Sequence, residues 1–82
     1  MAFDPQTLEM LVDELFETAN WYGVTPNSRI GETFALGYVA ARRQLNREQV
    51  DEFRRAVNVR LQKDDQRAMI ENLIQSAITS TN

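Results

Sequence analysis

In the first third of the chain the apolar positions fall on one side of a helix. Leu8, Leu11, Val12, Leu15, Ala19 and Tyr22 follow the i, i+3, i+4, i+7 spacing of a single buried face. Asp4 is a good N-cap, Pro5 suits the first helical position, and Phe3 with Leu8 occupies the two places of a hydrophobic staple. Gly23 can take the left-handed conformation that closes the helix, with Val24 folding back toward Ala19. The pattern predicts a helix over about 5–22.

Thr25-Pro26-Asn27-Ser28 reads as a link, in which either Thr25 or Ser28 can cap a second helix over about 29–44. The middle of that helix, Thr33 to Ala41, is apolar on nearly every side, which predicts a central, wholly buried element. Gly31 with Ala35, and Gly37 with Ala41, are small pairs four apart that permit close backbone approach. A glycine inside a helix costs ~1 kcal/mol relative to alanine, so both call for a packing reason.

Asn46 and Gln49 form a capping box and Leu45 with Val50 a second staple, opening a third helix over about 47–63. Val50, Phe53, Val57 and Leu61 are its buried stripe. Asp64 or Asp65 can cap a fourth, shorter helix over about 66–78, where Met69, Ile70, Leu73, Ile74 and Ala77 share a broad face; Thr79 to Asn82 are expected to fray. The fold class that follows is all-α: one domain over residues 1–82, a compact bundle of three long helices plus a shorter C-terminal helix.

Composition narrows the chemistry. The 82 residues include neither cysteine nor histidine, which removes disulfides, zinc sites and Cys or His catalysis. A core this small is marginal and usually gains stability from a disulfide, a metal or a partner, so oligomerisation is the expected support. No stretch approaches the length of a membrane span, and Met1 to Pro5 lack the basic and apolar regions of a secretory signal, so a cytoplasmic location is expected.

The net charge of −3 is unevenly placed. Residues 1–41 hold six acids and one base, whereas residues 42–82 hold eight bases and six acids. Halves of opposite sign favour packing against one another or head-to-tail contact between subunits.

Two acid pairs, Glu14-x-x-Glu17 and Glu48-x-x-Asp51, bear on catalysis. Acids three apart on two helices resemble the Mg²⁺-binding pattern of all-α nucleotide pyrophosphohydrolases, where the metal bridges substrate phosphates. The resemblance covers those four residues. The helical wheel places Glu14 and Glu17 opposite the Leu8–Tyr22 stripe, on a solvated face, whereas such enzymes aim their acids into the bundle.

Arginines at 42, 43, 47, 54, 55, 60 and 67 could meet phosphates, but Glu48, Asp51 and Glu52 sit among them and the chain is acidic overall. Met10 and Trp21 lie together, away from the main stripe, with Phe16 at its border. Trp, Met and Arg are enriched in protein interfaces.

The functional expectation is therefore a non-catalytic protein–protein interaction module, a small adaptor, regulator, inhibitor or assembly subunit that self-associates and needs no cofactor or metal. Its expected partner-binding residues are Met10, Phe16, Trp21, Arg42 and Arg43. The alternatives are a nucleic-acid-binding protein using the arginine-rich second half and, third, a Mg²⁺-dependent nucleotide hydrolase.

Overall fold

A computed structural model describes residues 3–80, which form three α-helices and no strand. Helix α1 spans Pro5–Tyr22, α2 Arg29–Arg42 and α3 Arg47–Ser80. Local chemistry sets most of the ends. Asp4 accepts the Thr7 N–H at 2.8 Å and the Thr7 hydroxyl at 3.0 Å. Gly23, at φ 68°, closes α1, and the Val24 N–H returns to the Ala19 carbonyl at 2.9 Å. Ser28, rather than Thr25, caps α2 by accepting the Gly31 N–H at 3.0 Å. Asn46 and Gln49 form the reciprocal capping box, at 2.9 and 2.8 Å.

Helix α2 stops two residues short of the expected end. Gln44 adopts a left-handed φ of 54°, its N–H returning to Ala41 O at 3.2 Å and that of Leu45 to Ala40 O at 2.9 Å. This is the hydrogen-bonding scheme that glycine usually serves.

The core is drawn from all three helices: Leu11, Val12, Leu15 and Ala19 of α1; Ala35, Leu36 and Val39 of α2; Phe53 and Val57 of α3. Helix α1 lies in the middle, packed on by both of the others. That overturns the assignment of the second helix as central. Helix α2 buries only Gly31, Ala35, Leu36 and Val39, and leaves Ile30, Phe34, Gly37 and Tyr38 exposed. Its outward aromatics satisfy one another, because Phe34 and Tyr38 both pack on Tyr22, with ring centroids 5.3 and 5.4 Å apart. Tyr22 thus belongs to a surface aromatic cluster and not to the buried stripe.

The two helical glycines differ. A Cβ on Gly31 would run into the Thr25 carbonyl oxygen, with the Ser28 hydroxyl 2.9 Å away, so the link crosses too close for any side chain. A Cβ on Gly37 would meet nothing within 4 Å.

The larger correction concerns the C-terminal third. The expected break at Asp64 or Asp65 does not occur, and α3 continues as one helix of 34 residues. Aspartate favours an N-cap but does not forbid helix, and no glycine or proline stands between Arg47 and Ser80. Arg60 Nε reaches Asp64 Oδ1 at 3.8 Å, bridging the expected break with an i, i+4 pair. Thr79 and Ser80 complete the helix rather than fray; residues 81 and 82 lie outside the described residues.

Consequently no separate fourth helix occurs among the described residues, and the molecule is elongated, 54 × 27 × 17 Å. At ~1.5 Å per residue α3 alone is ~50 Å long and sets the longest dimension. Every residue from Gln62 to Ser80 is exposed.

Candidate interaction surfaces

One surface lies where α1 meets the end of α2. The second face of α1 carries Met10, 65% exposed, and Trp21, 84% exposed. Between them, Glu14 draws in the first basic residues of the second half: Arg43 Nε donates to Glu14 Oε2 at 3.0 Å and Arg42 Nη1 lies 3.5 Å from Oε1. The Glu14 side chain is only 15% exposed, so it is not the solvated acid that the helical wheel implies. The arginines remain half-exposed or more and flank a shallow groove shared with Met10, Asp13 and Glu17. A neighbouring groove joins Glu17 and Arg42 to Trp21, Tyr22 and Tyr38.

Four of the five expected interface residues, Met10, Trp21, Arg42 and Arg43, thus share this side of the molecule. Phe16 is not among them. It is half-buried against the core, and the Arg60 guanidinium of α3 lies 5.3 Å from its ring centre. Arg60 also reaches Asp13 Oδ1 at 3.4 Å, so the acidic first helix and the basic second half meet within one chain.

The Tyr22 hydroxyl is held above the ordinary tyrosine value by its hydrogen bond to Tyr38, with the Tyr38 charge and burial adding to it. Among the described residues no group of three or more acids is placed to hold a metal ion. Glu17, Glu48 and Asp51 are exposed, and Glu14 is engaged by arginines. The remaining basic residues of α3 named as phosphate candidates, Arg47, Arg54, Arg55 and Arg67, are exposed.

A second surface was not singled out as a site by the sequence. On the exposed stretch of α3, Met69, Ile70, Leu73 and Ile74 are each between 53% and 64% exposed. Their helical spacing had marked them as apolar, but a face at that spacing is ordinarily covered by its own bundle. The signal available was the absence of any glycine or proline to turn the chain back between Arg47 and Ser80.

No helix among the described residues is long and apolar enough to cross a membrane. Comparison with family models, curated proteins and solved structures finds no match for this chain.

Proposed function

We propose that this chain is a non-catalytic protein–protein interaction module that self-associates, acting as a small adaptor, regulator, inhibitor or assembly subunit. The observation that carries this reading is Trp21, 84% exposed on a helix whose opposite face forms the core. A tryptophan held in water forgoes one of the largest burial gains available to a side chain, and tryptophan is the residue most enriched among interface hot spots. Met10 extends the apolar area and Arg42 and Arg43 supply a polar rim, the usual anatomy of a recognition patch. A cytoplasmic setting accords with a chain that has no cysteine to oxidise.

Trp21 is the only tryptophan, so its emission reports on this face alone. With rising concentration the emission is expected to move to shorter wavelength as sedimentation shows a heavier species, and Trp21→Glu is expected to shift the population toward monomer. An emission maximum that stays that of a solvated indole, together with a Trp21→Glu variant that sediments like the parent, would remove this face from self-association.

A further inference from the structure

Beyond Asp64, α3 is exposed throughout, and it is not polar there. The phase of its apolar face decides what can cover it. At about 100° per residue, the direction shared by Met69, Ile70, Leu73 and Ile74 lies about 150° around the helix from that of buried Phe53 and Val57. The face is thus turned away from the core that Phe53 and Val57 enter.

We infer that two copies of this chain pair along this exposed stretch of α3, side by side and antiparallel. The inference rests on the self-association proposed above but places it on a different surface.

Three observations select a second copy as the occupant. The first is area. The four side chains expose on the order of 450 Å² together, over half of the ~800 Å² that each partner contributes to a standard interface, and polar flanks such as Gln66 would add to it. The second is spacing. Ile70, Leu73 and Ala77 repeat at three and four residues, the seam by which one helix packs on another like itself, and a two-fold pair uses the same patch twice. The third is charge. Lys63 lies toward the seam side and Asp64 on the opposite side. In a parallel pair Lys63 would face its own copy. In an antiparallel pair it faces the last turn of the partner's helix, which has no basic residue and carries the negative end of the helix dipole.

Helix propensity points the same way. Ile70, Ile74, Asn72, Ser76, Thr79 and Ser80 are all middling or poor helix formers, and a stretch of this length is marginal in water without tertiary support. Pairing supplies that support, so association and the helicity of residues 62–80 rise together.

The test compares the full chain with a double variant, Ile70→Glu with Leu73→Glu. Glutamate forms helix more readily than isoleucine and about as readily as leucine, so a loss of helix that depends on protein concentration in the parent reports pairing and not propensity. Sedimentation is expected to show a dimer for the parent and a dimer weakened by at least ~100-fold for the variant. Hydrogen exchange is expected to show protection of residues 66–80 that grows with protein concentration and is absent in the variant. Gln66→Cys is expected to stay reduced under oxidant, because antiparallel copies of that position lie far beyond the ~7 Å limit for a disulfide; efficient cross-linking would overturn the antiparallel arrangement. A dimer that survives the double variant but dissociates on Trp21→Glu would overturn the α3 pairing and leave the Trp21 reading standing. A monomer whose residues 66–80 are protected at every concentration would overturn the pairing in favour of a fold back onto the chain's own bundle. A variant that loses the dimer while Trp21 emission in the parent is independent of concentration would support the pairing and remove the Trp21 face from self-association.

Discussion

The Glu14 carboxylate, midway along α1, accepts a 3.0 Å hydrogen bond from Nε of Arg43, the residue that caps the end of α2. The pair ties the middle of α1 to the end of α2. Glu14→Gln keeps the shape and removes the charge that both arginines share. We expect a loss of about 0.5–1 kcal/mol, since the arginines are largely solvated, and a double-mutant cycle with Arg43→Met should return most of it as coupling energy. Urea denaturation measures both, and additive losses would show that the pair contributes nothing.

The same pairing bears on nucleic acid. Arg42 and Arg43 are held by Glu14 and Arg60 by Asp13, so three of the arginines already have carboxylates in the folded chain. Fluorescence anisotropy with labelled duplex and single-stranded DNA and RNA is expected to show no binding tighter than ~1 μM at physiological salt. Sub-micromolar binding that falls steeply with salt and is lost on replacing Arg42 and Arg43 would make the arginine-rich half a phosphate-binding surface.

Gly31 and Gly37 should respond oppositely to alanine. At Gly37 the space is open, so alanine brings only its better helix propensity and should stabilise by ~0.5–1 kcal/mol. At Gly31 the new methyl group would strike the Thr25 carbonyl, and the link must shift or the first turn of α2 must open. That loss should exceed ~1 kcal/mol. Thermal melting of the two variants, moving apart by several degrees, checks the pair of signs.

Gln44 sits where an L side chain is strained and glycine is not. Gln44→Gly should therefore stabilise by roughly 0.5 kcal/mol, the relief of the left-handed strain being partly offset by the greater freedom of glycine in the unfolded chain. Gln44→Val, with a branched Cβ at the same φ, should lose more than ~1 kcal/mol. Equal stability of the three would show that the turn relaxes to another conformation.

Asp4 is fully exposed, yet its carboxylate is held below the ordinary aspartate value, chiefly by the Thr7 N–H and then by the Thr7 hydroxyl. A depressed carboxylate stabilises the folded state above its unfolded value, ~3.9, and that contribution disappears as pH falls through the folded value. Acidification below about pH 4 should loosen the first turn of α1, and Asp4→Asn should remove this dependence while retaining a cap. The carbon-13 shift of the Asp4 carboxylate, followed by NMR through the acid range, reads the midpoint directly.

How legible this fold was depended on how local the deciding interactions are. Asp4, Gly23 and the Asn46–Gln49 box act within four residues of themselves, and the helix ends they set are those that the sequence pattern implies. Helix α2 misled because an apolar residue on a helix wheel carries no record of what it packs on. Phe34 and Tyr38 shelter against Tyr22 at the surface, a tertiary arrangement with no signature in spacing. Asp64 misled because capping preference is a bias of a few tenths to ~2 kcal/mol, and continuing the backbone ladder can outweigh it. For the candidate surface, the wheel separated Met10 and Trp21 from the core face of α1, and both are exposed. It could not show that Phe16 lies under Arg60, because that contact joins residues 44 positions apart.

Because α3 runs unbroken from the core to its tip, bundle and tip share one angular phase. Two residues inserted beside Asp64 would turn the tip by about 200° relative to Trp21, whereas seven would restore its bearing to within about 20° and move it ~10 Å outward. Length changes in this segment therefore act as a gear. In a pair joined through the tips they would re-aim the two Trp21 surfaces relative to each other without altering a single residue of either.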